Sequence, residues 1–320
     1  MNVVILVGAL LVLLFSAGWF ISGASVLAEK MGIPPLLIGM IIIGFGTSSP
    51  ELLVSVQAAM DNNAALAIGN AVGSNITNIT LILGLTAVLA PIAVQSNIVR
   101  RELPFLLVAT TVLFALGWDG LLSRVDAVIL LSLFAVILGW AMVLARQTPD
   151  DALADDVTKE LNEVTMSSKK AAVLVAVGLV LLTLSSRWLV SSAVQLATAL
   201  GVSELMIGLT IVALGTSSPE LAASVIAARK GEHDLALGNV LGSNLFNTLG
   251  AIGAAGLTRP LPVTETLVFR DMPVLLLVTL LLFPAAVGWR GPGSINRWEG
   301  ALLLTGFAGY TGYLIFSNLS

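Results

Sequence analysis

Apolar residues run along this chain in blocks that are too long for strands and too evenly apolar for surface helices with one polar face. They fall near residues 3–23, 36–60, 64–90, 103–118 and 125–145, and again near 171–198, 205–228, 234–257, 272–289 and 298–317. Most are long enough to cross roughly 30 Å of hydrocarbon as a helix, and the polar residues collect between them. The pattern predicts ten transmembrane helices, five in each half.

The halves are copies of one another. Gly46-Thr-Ser-Ser-Pro-Glu51 returns 169 positions later as Gly215-Thr-Ser-Ser-Pro-Glu220. The same offset carries Gly69-Asn-Ala-Val-Gly-Ser-Asn-Ile-Thr-Asn78 onto Gly238-Asn-Val-Leu-Gly-Ser-Asn-Leu-Phe-Asn247, and Trp19, Gly32, Arg101 and Pro104 onto Trp188, Gly201, Arg270 and Pro273. One fixed offset across so many residue types predicts a duplicated unit. Five spans is an odd number, so the second copy must enter the membrane from the opposite face. The expected fold class is therefore an all-α polytopic membrane protein with two inverted-topology repeats, the plan of secondary transporters. The repeats are expected at 1–145 and 171–320, joined by a linker at 146–170.

Composition sharpens this picture. The chain is 57% hydrophobic and 11% charged, whereas a soluble domain carries about 25% charged residues. It has no cysteine, which excludes disulfides, thiolate metal sites and thiol nucleophiles. The net charge of -4 reflects the linker, where Asp150, Asp151, Asp155, Asp156, Glu160 and Glu163 gather. That segment lacks the glycine and ligand alternation of a calcium loop and reads as solvated. The first span ends in small residues, as a signal peptide would, but it has no basic start and Trp19 belongs to the repeat. It is expected to remain as a helix.

Basic residues in alternate loops set the orientation. Lys30, Arg100, Arg101, Arg146, Lys159, Lys169, Lys170, Arg229, Lys230, Arg290 and Arg297 fall on one face, against Arg124, Arg259 and Arg270 on the other. The basic face is expected to be cytoplasmic, which puts both termini outside a prokaryotic inner membrane.

The candidate chemistry lies in the duplicated motifs. A carboxylate at mid-membrane costs roughly 2.5–3.5 kcal/mol on insertion scales, and Glu51 and Glu220 incur that cost with no lysine or histidine in any span to pair with them. Arg187 stands about a helix length from Lys170, near the outer interface. The glutamates must be neutralised by protons or by a bound cation. Pro50 and Pro219 are expected to break their helices over Gly46–Pro50 and Gly215–Pro219, because proline removes a backbone donor and clashes with the preceding turn. Calcium takes six to eight oxygens, which the two carboxylates with the carbonyls of Thr47 and Thr216 and water would supply. Ser74 and Asn78 are four residues apart, as are Ser243 and Asn247, so each pair shares a helix face. Neutral oxygens of this kind suit sodium. Asn70, Asn239, Asn75 and Asn244 read as helix-terminal hydrogen-bonders, with support of the ligands from behind as the alternative. His233 reads as a loop residue, and Trp118, Trp140, Trp289 and Trp298, like Trp19 and Trp188, as interfacial anchors.

At these motifs the chain resembles the cation/calcium exchanger superfamily, and most of all its prokaryotic sodium/calcium antiporters. The shared patterns are G-T-S-x-P-E in the second and seventh helices and G-N-x-x-G-S-N in the third and eighth, and the resemblance covers nearly the whole chain. It implies the ten-helix sodium/calcium exchanger fold with four adjacent ion sites at its centre. Calcium would lie between Glu51 and Glu220 with the Thr47 and Thr216 carbonyls. The Gly44 carbonyl, Ser48 and Ser74 would form an inner sodium site, and the Ala213 carbonyl, Ser217 and Ser243 an outer one. Asn78 and Asn247 would face the middle. Several family members have aspartate where Asn247 stands, so this centre has two titratable groups where theirs has three. Leucine is common where Ser49 and Ser218 stand, and each of these hydroxyls is expected to bond back to its own helix.

The expected function is export of cytoplasmic calcium against external sodium by alternating access. A proton/calcium exchanger, potassium co-transport or another divalent cation on the same fold remain alternatives. An enzyme is not expected: Ser48 or Ser217 as a nucleophile would need a base, and the one histidine is in a loop. No cofactor and no nucleic acid are expected. The partners are the transported ions Ca²⁺ and Na⁺ and the lipid bilayer, and the chain is expected to act as a monomer.

Overall fold

A computed structural model describes residues 38–94, 99–147, 166–199, 213–287 and 293–319, with scattered helical residues of the first span (8, 11–12, 15–16, 19–20, 22–23, 26–27 and 30). The expectations for the rest of that span, the start of the seventh span, the acidic residues of the linker and Trp289 lie outside the described residues.

The second span opens with a π-helical segment, Ile38–Gly44, passes through Phe45–Thr47 and continues as α1 (Ser49–Met60). The third is α2 (Ala64–Thr77), a π segment at Asn78–Ile82 and α3 (Leu83–Leu89). Then come α4 (Val99–Leu116), α5 (Arg124–Gln147) and α6 (Ser168–Ala199). In the second half Ala213–Thr216 leads into α7 (Ser218–Arg229), and α8 (His233–Leu245) runs through a π segment at Phe246–Ala251 into α9 (Ile252–Thr258). A π segment at Leu267–Asp271 opens α10 (Met272–Val287), and α11 (Arg297–Leu319) follows. Among the described residues six helices are long and apolar enough to cross a membrane.

The helix breaks are narrower than the motif suggested. Only Ser48 (φ −83°, ψ 5°) and Ser217 (φ −82°, ψ 5°) leave helical geometry, and Pro50 and Pro219 sit within the first turn of α1 and α7. Proline is tolerated there because the first helical amides have no intrahelical partner to lose. The turns before α2 and α8 match as well, with positive φ at Asn62 (63°) and at its copy Gly231 (83°).

Two short ribbons add a little β structure to the all-α plan. β1 (Ile92–Val94) pairs antiparallel with β4 (Gly293–Ile295), and β2 (Leu121–Leu122) with β3 (Leu261–Pro262). The two ribbons lie at opposite ends of α4, whose 18 residues span about 27 Å at 1.5 Å per residue.

Burial sorts the helices into a centre and a periphery. The α2–α3 and α8–α9 spans are 78% and 89% buried, whereas the apolar windows of α5, α6 and α11 are 22%, 18% and 11% buried. Ile68, Val72, Ile76, Ile79 and Leu83 of the third span share one core with Leu241, Leu245, Leu249 and Ile252 of the eighth. The Ile38–Gly44 segment lies backbone-to-backbone on α8: a Cβ on Gly39 would fall 2.8 Å from the Leu235 carbonyl oxygen, and one on Gly242 2.5 Å from that of Met40. Such close approach needs glycine. Trp19, Trp118, Trp140, Trp188 and Trp298 are exposed, as membrane-interface anchors would be.

Candidate ion-binding site

The two breaks meet at the centre, where Glu51 and Glu220 are both fully buried. Each glutamate sits in the first turn of its helix, α1 or α7, where the positive end of the helix dipole favours negative charge. Each accepts a hydroxyl from the other half. Ser48 donates to Oε1 of Glu220 at 2.8 Å, and Ser217 to Oε1 of Glu51 at 3.2 Å. The Oε2 atoms of both glutamates are buried with no hydrogen-bond partner. Among the described residues no third acidic or imidazole side chain joins them in a cluster.

Two asparagines brace this pair from behind. Asn70 Nδ2 donates to the Glu51 carbonyl (3.2 Å) and to the Ser55 hydroxyl (3.0 Å), and Asn239 Nδ2 does the same for Glu220 (3.1 Å) and Ser224 (2.9 Å). Their oxygens face the opposite break, with the Thr216 hydroxyl 3.3 Å from Asn70 Oδ1 and the Thr47 hydroxyl 3.3 Å from Asn239 Oδ1. Asn70 and Asn239 therefore support the glutamates, the second of the two roles expected for them. Ser55 and Ser224 were missed. Each stands four residues beyond a glutamate, on the same helix face, and the repeat copies it.

The grouping of the sodium ligands needs correction. Gly44, Ser48 and Ser74 were expected together, as were Ala213, Ser217 and Ser243. Instead the Ser243 hydroxyl lies 3.5 Å from the Gly44 carbonyl, and the Ser74 hydroxyl 3.4 Å from that of Thr216. Each cluster mixes the halves because the break in the second span packs on α8 while Ala213–Thr216 packs on α2. The Gly44 and Ala213 carbonyls also accept the Ser48 and Ser217 amides at 3.0 Å, which leaves each a second lone pair. Ser49 and Ser218 bond back to Phe45 and Leu214, at 3.0 and 2.8 Å, as expected.

Asn78 and Asn247, both fully buried, each fall within a π segment, where the extra residue in the turn re-aims side chains and often marks a functional site. Asn78 Nδ2 donates to Asn244 Oδ1 at 2.9 Å, while Asn78 Oδ1 and both polar atoms of Asn247 have no hydrogen-bond partner. Asn75 and Asn244 bridge the two halves instead of capping helices, each donating to the other's main-chain carbonyl at 3.3 and 3.4 Å.

Other sequence readings shift. His233 begins α8 and is half-buried, with Nδ1 lacking a hydrogen-bond partner, so it is not a free loop residue. Two further carboxylates at the repeated position before spans four and nine, Glu102 and Asp271, are fully buried. Asp271 pairs with Arg270 (2.7 Å) and accepts the Tyr310 hydroxyl (2.9 Å). Their registration at the same offset was the overlooked signal.

A buried carboxylate with one oxygen satisfied and one bare is costly unless a counter-charge arrives. Here two of them share a site rich in hydroxyl, carbonyl and amide oxygens and free of fixed cations among the described residues. The arrangement can hold hard cations by oxygen.

The sequence matches the model of the family described as "Sodium/calcium exchanger protein" over residues 1–143 and 170–316. It is 42% identical to a putative antiporter, CaxA, of Alkalimonas amylolytica over 99% of both chains. It is 39% identical to the inner membrane protein YrbG of Escherichia coli K12, over 95% of this chain and 93% of that one. A solved structure of the sodium-calcium exchanger NCX_Mj, soaked with sodium and calcium, superposes with a TM-score of 0.78 at 32% identity over 95% of each chain.

Proposed function

The chain belongs to the sodium/calcium exchanger protein family, and on that premise we propose that it is a multi-pass membrane antiporter that exports cytoplasmic calcium in exchange for external sodium. One observation carries the reading: Glu51 and Glu220 are fully buried, each is tied to the opposite half through a serine, and each keeps a bare Oε2. Calcium lies between those oxygens with the Thr47 and Thr216 carbonyls. One sodium site draws on the Gly44 carbonyl, Ser48 and Ser243, and another on the Ala213 carbonyl, Ser217 and Ser74. Asn78 and Asn247 complete the middle.

The architecture behind it is ten helices in two inverted repeats, 1–145 and 171–320, joined by the cytoplasmic linker 146–170, with both termini outside. The exchanged strand partners support this. β1 and its copy β3 fall in different ribbons, at opposite ends of α4, which is where an inverted copy must put them. The β1–β4 ribbon lies in loops that the charge bias makes cytoplasmic, and β2–β3 in outer loops.

Calcium and sodium both need Glu51 and Glu220, so they compete, and the competition couples the two fluxes. The moving part is the first helix with α6. A Cβ on Gly178 would lie 2.9 Å from the Phe20 backbone nitrogen, and one on Gly23 2.6 Å from the Ala171 carbonyl oxygen, so these two helices hold to each other. A neutralised site lets this apolar pair slide over the core, and an empty, doubly charged one resists it.

Calcium uptake into sodium-loaded proteoliposomes tests the proposal. Uptake that requires internal sodium and disappears in Glu51→Gln and Glu220→Gln is expected. Uptake driven by a pH gradient alone would move the assignment to proton/calcium exchange.

A further inference from the structure

The four asparagines between α2 and α8 are related by the repeat, yet their bonds are not. Asn75 Nδ2 has two acceptors, the Asn244 main-chain carbonyl and the Thr248 hydroxyl, the latter at only 2.7 Å. Asn244 Nδ2 has one, the Asn75 carbonyl, because the copy of Thr248 in the first half is Ile79, which offers none. A carbonyl can only accept. The Asn244 nitrogen must therefore face the Asn75 carbonyl, its Oδ1 must face Asn78, and Asn78 must answer with Nδ2, as it does at 2.9 Å. This series of bonds leaves Asn78 Oδ1 as the free acceptor, and it is buried and unpartnered. On the other side Thr248 holds Asn75 by its nitrogen, Asn75 Oδ1 is unpartnered, and Asn247 receives no bond at either polar atom.

We propose that the Asn75 main-chain carbonyl and Asn244 form a positioning relay that fixes the carboxamide oxygen of Asn78 as a ligand for the transported cation, while Asn247 is left unfixed, making the two halves of the ion site unequal. The inference rests on the exchanger reading of that site. Asn78 offers calcium or sodium a preorganised oxygen, whereas Asn247 must lose rotational freedom to offer one. Asn244 touches no ion itself and acts through Asn78.

The test is a binding measurement on the purified protein, titrated separately with calcium and with sodium, reading the rise in thermal midpoint that a ligand of the folded state produces. Asn78→Ala is expected to raise the half-saturating calcium concentration about tenfold, and Asn247→Ala about threefold, the scale of one hydrogen-bond-strength contact held or unheld. Asn244→Ala should fall between them, and the Asn78→Ala/Asn244→Ala double variant should bind no more weakly than Asn78→Ala alone. A residue with a merely structural role would instead multiply its effect onto that of Asn78. Thr248→Val removes a bond to the Asn75 side chain but none in the series from the Asn75 carbonyl to Asn78, so it should leave the half-saturating calcium concentration unchanged, and a loss as large as that of Asn244→Ala would overturn the assignment. Multiplying effects in the double variant, or equal losses in Asn78→Ala and Asn247→Ala, would overturn the relay. If Asn244→Ala does not fold, Asn244→Ser takes its place in the double-variant comparison, and multiplying effects there would be fatal. A wild-type protein whose midpoint responds to neither cation would instead remove the exchanger reading.

Discussion

Replacing Glu220 by glutamine is the sharpest single perturbation of the site. Glutamine keeps the size of the side chain and an oxygen to accept the Ser48 hydroxyl, now 2.8 Å from Glu220 Oε1, so the cross-link between the halves survives. What it removes is one unit of negative charge from a pair that is wholly buried and has no third acidic group clustered with it among the described residues. With two carboxylates, bound calcium leaves the site neutral; with one, it leaves an uncompensated buried charge of +1. Removing one partner of a buried pair costs about 3–5 kcal/mol, or roughly two to three and a half orders of magnitude in half-saturating calcium at about 1.4 kcal/mol per tenfold. A single sodium ion, by contrast, now finds a site it neutralises alone. The variant should lose calcium affinity steeply while sodium affinity falls much less. The rise in thermal midpoint of the purified variant, titrated with calcium and separately with sodium, reads both constants. A calcium change below about tenfold, or equal losses for the two ions, would refute the argument that paired charge neutralisation holds calcium here.

The same charge count predicts that exchange of one calcium for three sodium ions carries net charge, since two glutamates neutralise two sodium ions and the third travels as +1. Uptake should then respond to an imposed potassium-diffusion potential, and voltage-independent uptake would exclude that stoichiometry. Tyr310→Phe removes the 2.9 Å hydroxyl donor from buried Asp271, a charge-assisted bond worth about 1.5–3 kcal/mol. The thermal midpoint should drop by several degrees with half-saturating calcium unchanged, and a calcium shift would place Asp271 in the transport cycle. Gly242→Ala puts a methyl group 2.5 Å from the Met40 carbonyl oxygen. Forcing the Ile38–Gly44 segment off α8 should cost about 1–3 kcal/mol, seen as a lowered midpoint, and should disturb sodium binding at Gly44 and Ser243 more than the same change at the exposed Gly309, where an added Cβ would have nothing within 4 Å.

Much of this was legible in the sequence because duplication writes the same physics twice. A lone Gly-Thr-Ser-Ser-Pro-Glu stretch reads as a kink, but its copy marks both glutamates. Partnership was harder to see. Linear order suggests that Ser48 serves with Ser74, because both belong to the first half; the structure pairs Ser48 with Glu220 and sets Ser74 beside Thr216. Nothing in one repeat says which neighbours its side chains meet in the other, since that depends on how the two halves cross. Asn70 and Asn239 show a related limit inside one half. Their spacing fits a helix cap, and only the packing of α2 on α1, and of α8 on α7, brings them to the glutamate main chain.

A perfect two-fold arrangement would give both glutamates and both central asparagines one environment. The departures are therefore places where the halves can differ in function, and two touch the polar groups described above: Thr248 against Ile79 within the asparagine seam, and Tyr310, a donor to buried Asp271, against Ala141. The first gives Asn75 Nδ2 a second acceptor that Asn244 Nδ2 lacks, so the two amides of the seam are not equally held. The second ties α11 to the start of α10, so under the proposed mechanism it belongs with the helices that stay still while the first helix and α6 move. In that mechanism the site answers to one ion or two in the same place, and the moving pair slides against a core that does not follow it.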